Sequence, residues 1–389
     1  MQRIYLDYAA TTPMRPEVIA AMEPYFNTSF GNPSSIHAYG QEAKSALDNA
    51  RDTIADAIGG DSSEITFTSG GTEADNLALI GVMMANRERG KHLITTKIEH
   101  DAILHSGRFL EQIGFRVTYL PVDKFGQVSA EQVAEAITDD TVLVSVMHAN
   151  NEIGTIQPIE AIGKVTRERG VLLHSDAVQT FGQLPLNVDT LGVDLLTLSS
   201  HKIYGPKGMG ALYVRSGTPI QSIMHGGGQE RDRRSGTENV AGIVGFGEAS
   251  RILVSVRDKE STRLRMMREL IRFEIERRIP DVKLNGHPTD RLPNNINYSY
   301  PGVEGEALLL NLDLAGIAAS SGSACSAGSI EPSHVLLALG LPDFYLRSAL
   351  RLSLGRLTRE ADISEMLDVL EKTVARLRQM AENNIAAIS

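Results

Sequence analysis

Between about residues 60 and 215 the chain alternates short apolar, β-branched runs with amphipathic stretches, and this rhythm narrows the choice of fold more than any other feature. The runs are Ile65–Thr68, His92–Thr96, Val142–Val146, Val171–His174, Leu195–Leu198 and Ala211–Val214. Runs that are apolar without alternation suit strands buried on both faces, and the helical stretches between them supply the crossovers that parallel strands need. The expectation is an α/β protein with a mainly parallel sheet covered on both sides. In such sheets ligands bind beyond the carboxyl ends of the strands, so the polar residues directly after each run are the first candidates for a site.

A chain of 389 residues is too long for one ordinary core. Its second half holds a long helical pattern from Asn239 to Arg278, short strands near Val282–Leu284 and Ile296–Tyr298, a helix near Glu304–Leu314 and a final helix from Glu360 to Asn383. The reading is a large domain over 14–255 and a smaller α/β domain over 256–389. Residues 1–13 join the smaller one, because Ile4–Asp7 runs into the turn-like Thr11-Thr12-Pro13.

No basic segment followed by an apolar stretch opens the chain, and no run of about 18 apolar residues occurs, so a soluble cytoplasmic protein with no membrane contact is expected. A net charge of -10 disfavours direct nucleic-acid binding, with Arg231, Arg233 and Arg234 as a local basic exception. The single cysteine, Cys325, excludes an intramolecular disulfide and a multi-thiolate metal site within one subunit. Sulfur chemistry, if present, falls to that residue alone.

Several strand ends carry reactive groups. After Ile65–Thr68 comes Ser69-Gly-Gly-Thr-Glu-Ala-Asp-Asn76, where Gly70 and Gly71 allow close backbone approach and Thr72 can face an anion at a helix start. The spacing is neither a Walker motif nor GxGxxG, and a plain turn with Thr72 as N-cap fits equally well. Asp176 follows the run ending at His174, with Gln179 expected on the first turn of a following helix. A carboxylate there can pair with a protonated ring nitrogen or simply cap that helix. Lys202 follows Ser199-Ser-His201 and precedes a Gly/Pro-rich turn; a buried lysine there could form a Schiff base, whereas Lys207 reads as a solvated loop residue.

With these residues in view the chain resembles the NifS/IscS-type cysteine desulfurases, pyridoxal-phosphate enzymes of the aspartate-aminotransferase-like fold. The resemblance runs from Tyr5-Leu-Asp-Tyr-Ala-Ala-Thr-Thr-Pro13 to Arg351-Leu-Ser-Leu-Gly355. It includes Glu99-His100, His148-Ala-Asn-Asn-Glu-Ile-Gly154, Asp176-Ala-Val-Gln179, Ser199-Ser-His-Lys202, Arg234-Ser-Gly-Thr237 and Ser320-Ser-Gly-Ser-Ala-Cys325.

It implies that pyridoxal 5'-phosphate is linked to Lys202, paired with Asp176 at the ring nitrogen and touched by Gln179 at the phenolate oxygen. Gly71, Thr72, Ser199 and His201 would hold its phosphate, with Thr237 reaching in from the second subunit of a homodimer. His100 would stack on the ring and move protons, and Asn151 with Arg351 would grip the substrate carboxylate. L-cysteine would then yield alanine while the Cys325 thiolate takes the sulfur as a persulfide. Cys325 lies among Ala319–Ser329, small residues with glycines on both sides, a composition expected of a mobile loop. The acceptor would be an iron-sulfur scaffold or a tRNA-thiolation enzyme. A selenocysteine lyase or aminotransferase of the same fold would keep Lys202, Asp176 and Arg351 without requiring Cys325.

Overall fold

The computed structural model describes residues 3–321 and 332–388. In chain order its strands are β1 (Ile4–Tyr5), β2 (Ile65–Thr68), β3 (His92–Thr96), β4 (Arg116–Leu120), β5 (Thr141–Ser145) and β6 (Leu172–Asp176). They continue with β7 (Leu195–Ser199), β8 (Gly210–Val214), β9 (Lys283–Leu284), β10 (Asn295–Ser299), β11 (Ile317–Ala318) and β12 (Ala349–Ser353).

The main sheet has seven strands in the order β2-β8-β7-β6-β5-β3-β4, with β8 alone running antiparallel to its neighbours. The apolar runs expected from the sequence are all in it. Every residue of β2, β3, β5, β7 and β8 is buried, which is why those runs lack polar alternation. β4 escaped the sequence reading. Arg-Val-Thr-Tyr-Leu lies at the sheet edge, largely half-buried, and its mixed composition reflects that position.

Two apolar layers enclose the sheet. On one face the helix Gly71–Ala85 places Ala74, Leu77, Ala78 and Leu79 against Leu93, Leu143, Leu195 and Leu212. On the other, the helix Ala38–Ile58 and the first part of the 39-residue helix Val240–Arg278 bring Leu47, Ile54, Phe246 and Ala249 to Phe67, Leu173, Leu196 and Leu198. Adjacent Leu195 and Leu196 thus serve opposite layers, as strand pleating requires.

The long helix then enters a second core. Leu264, Met267, Ile271 and Ile275 pack with Ile296 and Tyr298 of β10, Leu350 and Leu352 of β12, and Met366, Leu370 and Val374 of the last helix. There β9, β10 and β12 form an antiparallel sheet. β1 pairs in parallel with β11, outside the main sheet, and Asp7 bridges to Ser353 beside it.

Candidate active site

Because β2, β3, β5, β6 and β7 are parallel, their carboxyl ends share one edge of the main sheet. The chain after β2 turns through Gly70 into the helix Gly71–Ala85. Gly70 holds φ 157° and ψ 178°, a region essentially restricted to glycine. The helix start has no side-chain cap, and Thr72 is an exposed first-turn residue, not the N-cap. A Cβ on Gly71 would lie 3.0 Å from Val178 Cγ2 and 3.7 Å from Ser199 Cβ, so the bare backbone packs against the segments leaving β6 and β7. A 15-residue helix presenting uncapped N–H groups there is suited to a phosphate.

Glu73 closes this turn by accepting the Ser69 N–H at 2.9 Å, and it also pairs with Arg234 Nε at 2.8 Å. The basic segment is therefore tied to the helix start, and Thr237, three residues beyond, is exposed.

Asp176 is the last residue of β6 and is 7% exposed. Its Oδ1 accepts the Val178 N–H at 2.9 Å, which stabilises a turn. No helix follows, contrary to the sequence expectation, so Asp176 caps none and Gln179 belongs to that turn, with its Nε2 donating to Ala9 O at 3.1 Å. Burial raises the Asp176 pKa, while His100 and Lys202 oppose the rise. A carboxylate so enclosed beside two basic side chains fits the cationic ring nitrogen of a pyridine cofactor.

β7 ends at the buried Ser199 and continues as a single tight turn, Ser200–Lys202. Lys202 Nζ donates to Ala9 O at 2.6 Å and Ala10 O at 2.7 Å. His201 Nδ1 lies 3.1 Å from Thr11 Oγ1, and the Thr12 hydroxyl donates to His201 O at 2.8 Å while accepting the Tyr204 N–H at the same distance. Burial, reinforced by Lys202 and Lys207, pushes His201 down to about 4, so its ring is neutral at neutral pH. Lys207 is exposed. The segment Ala9–Thr12 thus frames the lysine through backbone carbonyls and hydroxyls. Sequence reasoning missed this because a carbonyl leaves no mark in residue type.

His100 follows β3 and begins the helix Asp101–Gln112, where its Nδ1 accepts the Ala102 N–H at 3.1 Å. In the neutral ring that bond assigns the proton to Nε2. Arg351, on β12 and 1% exposed, donates from Nη1 to the Asn151 carbonyl at 3.0 Å and from Nη2 to Asp7 Oδ1 at 2.7 Å. The expected neighbours Asn151 and Arg351 are together, and Asp7 is a partner that sequence reasoning did not single out. Cys325 lies outside the described residues. Among the described residues no group of His, Cys, Asp and Glu side chains is arranged to hold a metal, and no helix is long and apolar enough to cross a membrane.

A mainly parallel sheet that brings an uncapped helix start, a buried carboxylate and a lysine to one edge is the arrangement of the fold type I pyridoxal-phosphate enzymes. Comparison with known proteins narrows this. The aminotransferase class-V family model matches residues 4–366. The cysteine desulfurase IscS of Dictyoglomus turgidum is 53% identical over 380 residues, covering 98% of this chain and 96% of that protein. Its counterpart from Methanosarcina thermophila is 51% identical over 97% of this chain and 93% of its own length. A solved NifS-like protein superposes with a TM-score of 0.91 at 36% identity, over 96% of this chain and all (100%) of that one. The chain belongs to the aminotransferase class-V family, and within it groups with the cysteine desulfurases.

Proposed function

We propose that this protein converts L-cysteine to L-alanine and retains the sulfur as a persulfide on Cys325 for transfer to an acceptor. The observation that carries the reading is the meeting of Lys202, Asp176 and the Gly71 helix start at one sheet edge, in a chain 53% identical to a cysteine desulfurase. A solved structure of SspA in complex with cysteine, 40% identical over 90% of this chain with a TM-score of 0.81, supports the same substrate.

In this reading Lys202 anchors pyridoxal 5'-phosphate, Asp176 faces its ring nitrogen and Gln179 its phenolate oxygen. Gly71, Thr72, Ser199 and His201 hold the phosphate. The cofactor supplies an electron sink for the carbanion formed at the substrate Cα. The substrate carboxylate is received by Arg351 and Asn151, and His100, with its proton on Nε2, covers the ring and exchanges a proton with the reacting groups. Lys202 Nζ would move the Cα proton. The Cys325 thiolate attacks the substrate sulfur, the carbon–sulfur bond breaks with its electron pair going to carbon, and that carbon takes a proton as alanine leaves. The new sulfur–sulfur bond remains on Cys325.

The exposed Thr237, on a segment tied to the phosphate turn through Arg234, supports a homodimer in which it completes the partner's site. The passage of the long helix from one core, up to Ile252, into a second, from Leu264, supports a domain division near residue 255. Delivery of that sulfur to iron-sulfur assembly agrees with relatives named cysteine desulfurase IscS. The test is a spectrum of the purified protein followed by addition of L-cysteine under reducing conditions. Visible absorbance of bound cofactor, with sulfide and alanine formed in equal amounts, is expected; a colourless protein contradicts the cofactor assignment, and pyruvate without sulfide contradicts the reaction.

A further inference from the structure

On the sheet face covered by the helix Gly71–Ala85 lies a set of buried titratable groups that the proposed reaction does not use. His174 sits two residues before Asp176, on the same face of β6. Its Nδ1 is 2.9 Å from Ser145 Oγ and its Nε2 3.0 Å from Thr197 Oγ1. Thr197 stands directly opposite Asp176 in the β6–β7 register. Asp75, from the second turn of the covering helix, reaches the same spot, with Oδ1 at 3.7 Å from His174 Nε2. That is beyond hydrogen-bond reach, and this buried oxygen has no hydrogen-bond partner. The Asp75 and His174 side chains are 2% and 0% exposed, and among the described residues no lysine or arginine pairs with Asp75.

Two carboxylates cannot both ionise cheaply in so dry a place, and the basic side chains are unevenly placed. His100 and Lys202 act on Asp176, whereas the charged neighbours acting on Asp75 are Asp176 and Glu99. We propose that Asp75 remains a neutral acid, so that the single negative charge of the two carboxyls stays on Asp176, where the cofactor's ring cation is received. The proposal rests on the reading of Asp176 given above. Burial, then Asp176, pushes Asp75 well above the carboxylate range, against a lowering contribution from the Thr197 hydroxyl. His174, pushed down to about 3 by burial, is neutral and supplies no balancing charge. Glu99 accepts from Thr96 Oγ1 at 2.6 Å and from the Met147 N–H at 2.9 Å, bonds that oppose a burial shift to about 8.

Infrared difference spectroscopy of the full-length protein, as purified and after cofactor removal, reads this directly. At about pH 8 the wild type is expected to show the carbonyl stretch of an un-ionised acid that Asp75→Asn lacks, and subtraction isolates it from any Glu99 signal. Because asparagine is also neutral, Asp75→Asn should bind cofactor and turn over cysteine within about threefold of wild type, with the pH titration of cofactor absorbance unmoved. Absence of an Asp75-dependent acid band, or a shift of that titration by about a unit or more, overturns the proposal. Should Asp75→Asn not fold, Thr197→Val removes the hydroxyl that favours ionisation: the acid band then persists to higher pH, and an unchanged band overturns the assignment. The band belongs to the chain alone, so a colourless protein showing it would sink the cofactor reading and leave the acid pair standing.

Discussion

Arg351 shows how one side chain can satisfy two descriptions that look like alternatives in sequence. It is a buried ion-pair partner of Asp7, and it also touches Asn151, its expected companion at the substrate. A planar guanidinium can keep one neighbour while offering a fork to a carboxylate, which an ammonium cannot. Arg351→Lys is therefore expected to raise KM for L-cysteine by about tenfold or more, with cofactor absorbance unchanged in steady-state and spectral assays. An unaltered KM would separate Arg351 from the substrate. Residue types at strand ends made Lys202 and Asp176 legible because the chemistry they offer belongs to their own side chains, and Gly71 because the lack of a side chain is itself visible in the sequence. Asp7, Ala9, Ala10, Asp75 and His174 were not legible, since each matters through a neighbour distant in sequence, such as Asp7 with Arg351 or Ala9 with Lys202.

The elements follow the same division. Strands buried on both faces were plain in the sequence, whereas edge strand β4 was not, and Gln179 was misplaced because a turn bonded to Asp176 stands where a helix was expected. The segment before Thr237 is another local surprise. Glu230, Arg231 and Asp232 hold φ of 48°, 57° and 61°, left-handed conformations costing about 1 kcal/mol or more each in residues other than glycine. They are fixed by the buried Glu230 carboxylate, which accepts from Arg51 Nη1 at 2.8 Å, Arg51 Nη2 at 2.7 Å and the Phe67 N–H at 2.8 Å. Glu230→Gln keeps the shape and removes the charge balancing Arg51, at an expected cost of about 3 kcal/mol. The melting temperature should fall on the order of 5 °C, and an unchanged value would show that the strained turn is held by other contacts.

For the whole molecule, buried titratable groups set a pH dependence with two limbs. Burial pushes His92 and His148 down to about 4 and His174 to about 3, with His201 also near 4. As pH falls from about 6.5 the unfolded chain takes up protons that these folded residues refuse, so their contribution to stability is lost toward pH 4. Glu99 has the opposite sign. Burial lifts it from 4.5 to about 8, so the folded protein keeps a proton that the unfolded chain releases, and that contribution disappears as pH rises through 8. Cofactor-free protein is therefore expected to lose stability between about pH 6.5 and 8 in urea titrations, and Glu99→Gln to make that limb shallower, the raised Asp75 carboxyl supplying the rest. A wild-type curve that rises over the same range would contradict these assignments.

Intact-mass analysis after reaction with L-cysteine, without reductant or acceptor, shows where the sulfur goes. The wild type is expected to gain one or more sulfur atoms, located on the Cys325 peptide and removed by a reducing agent. Cys325→Ala should keep its cofactor absorbance, gain no sulfur and release no sulfide. Cysteine desulfuration at the wild-type rate in Cys325→Ala would contradict that expectation and point to a lyase that works without this thiol.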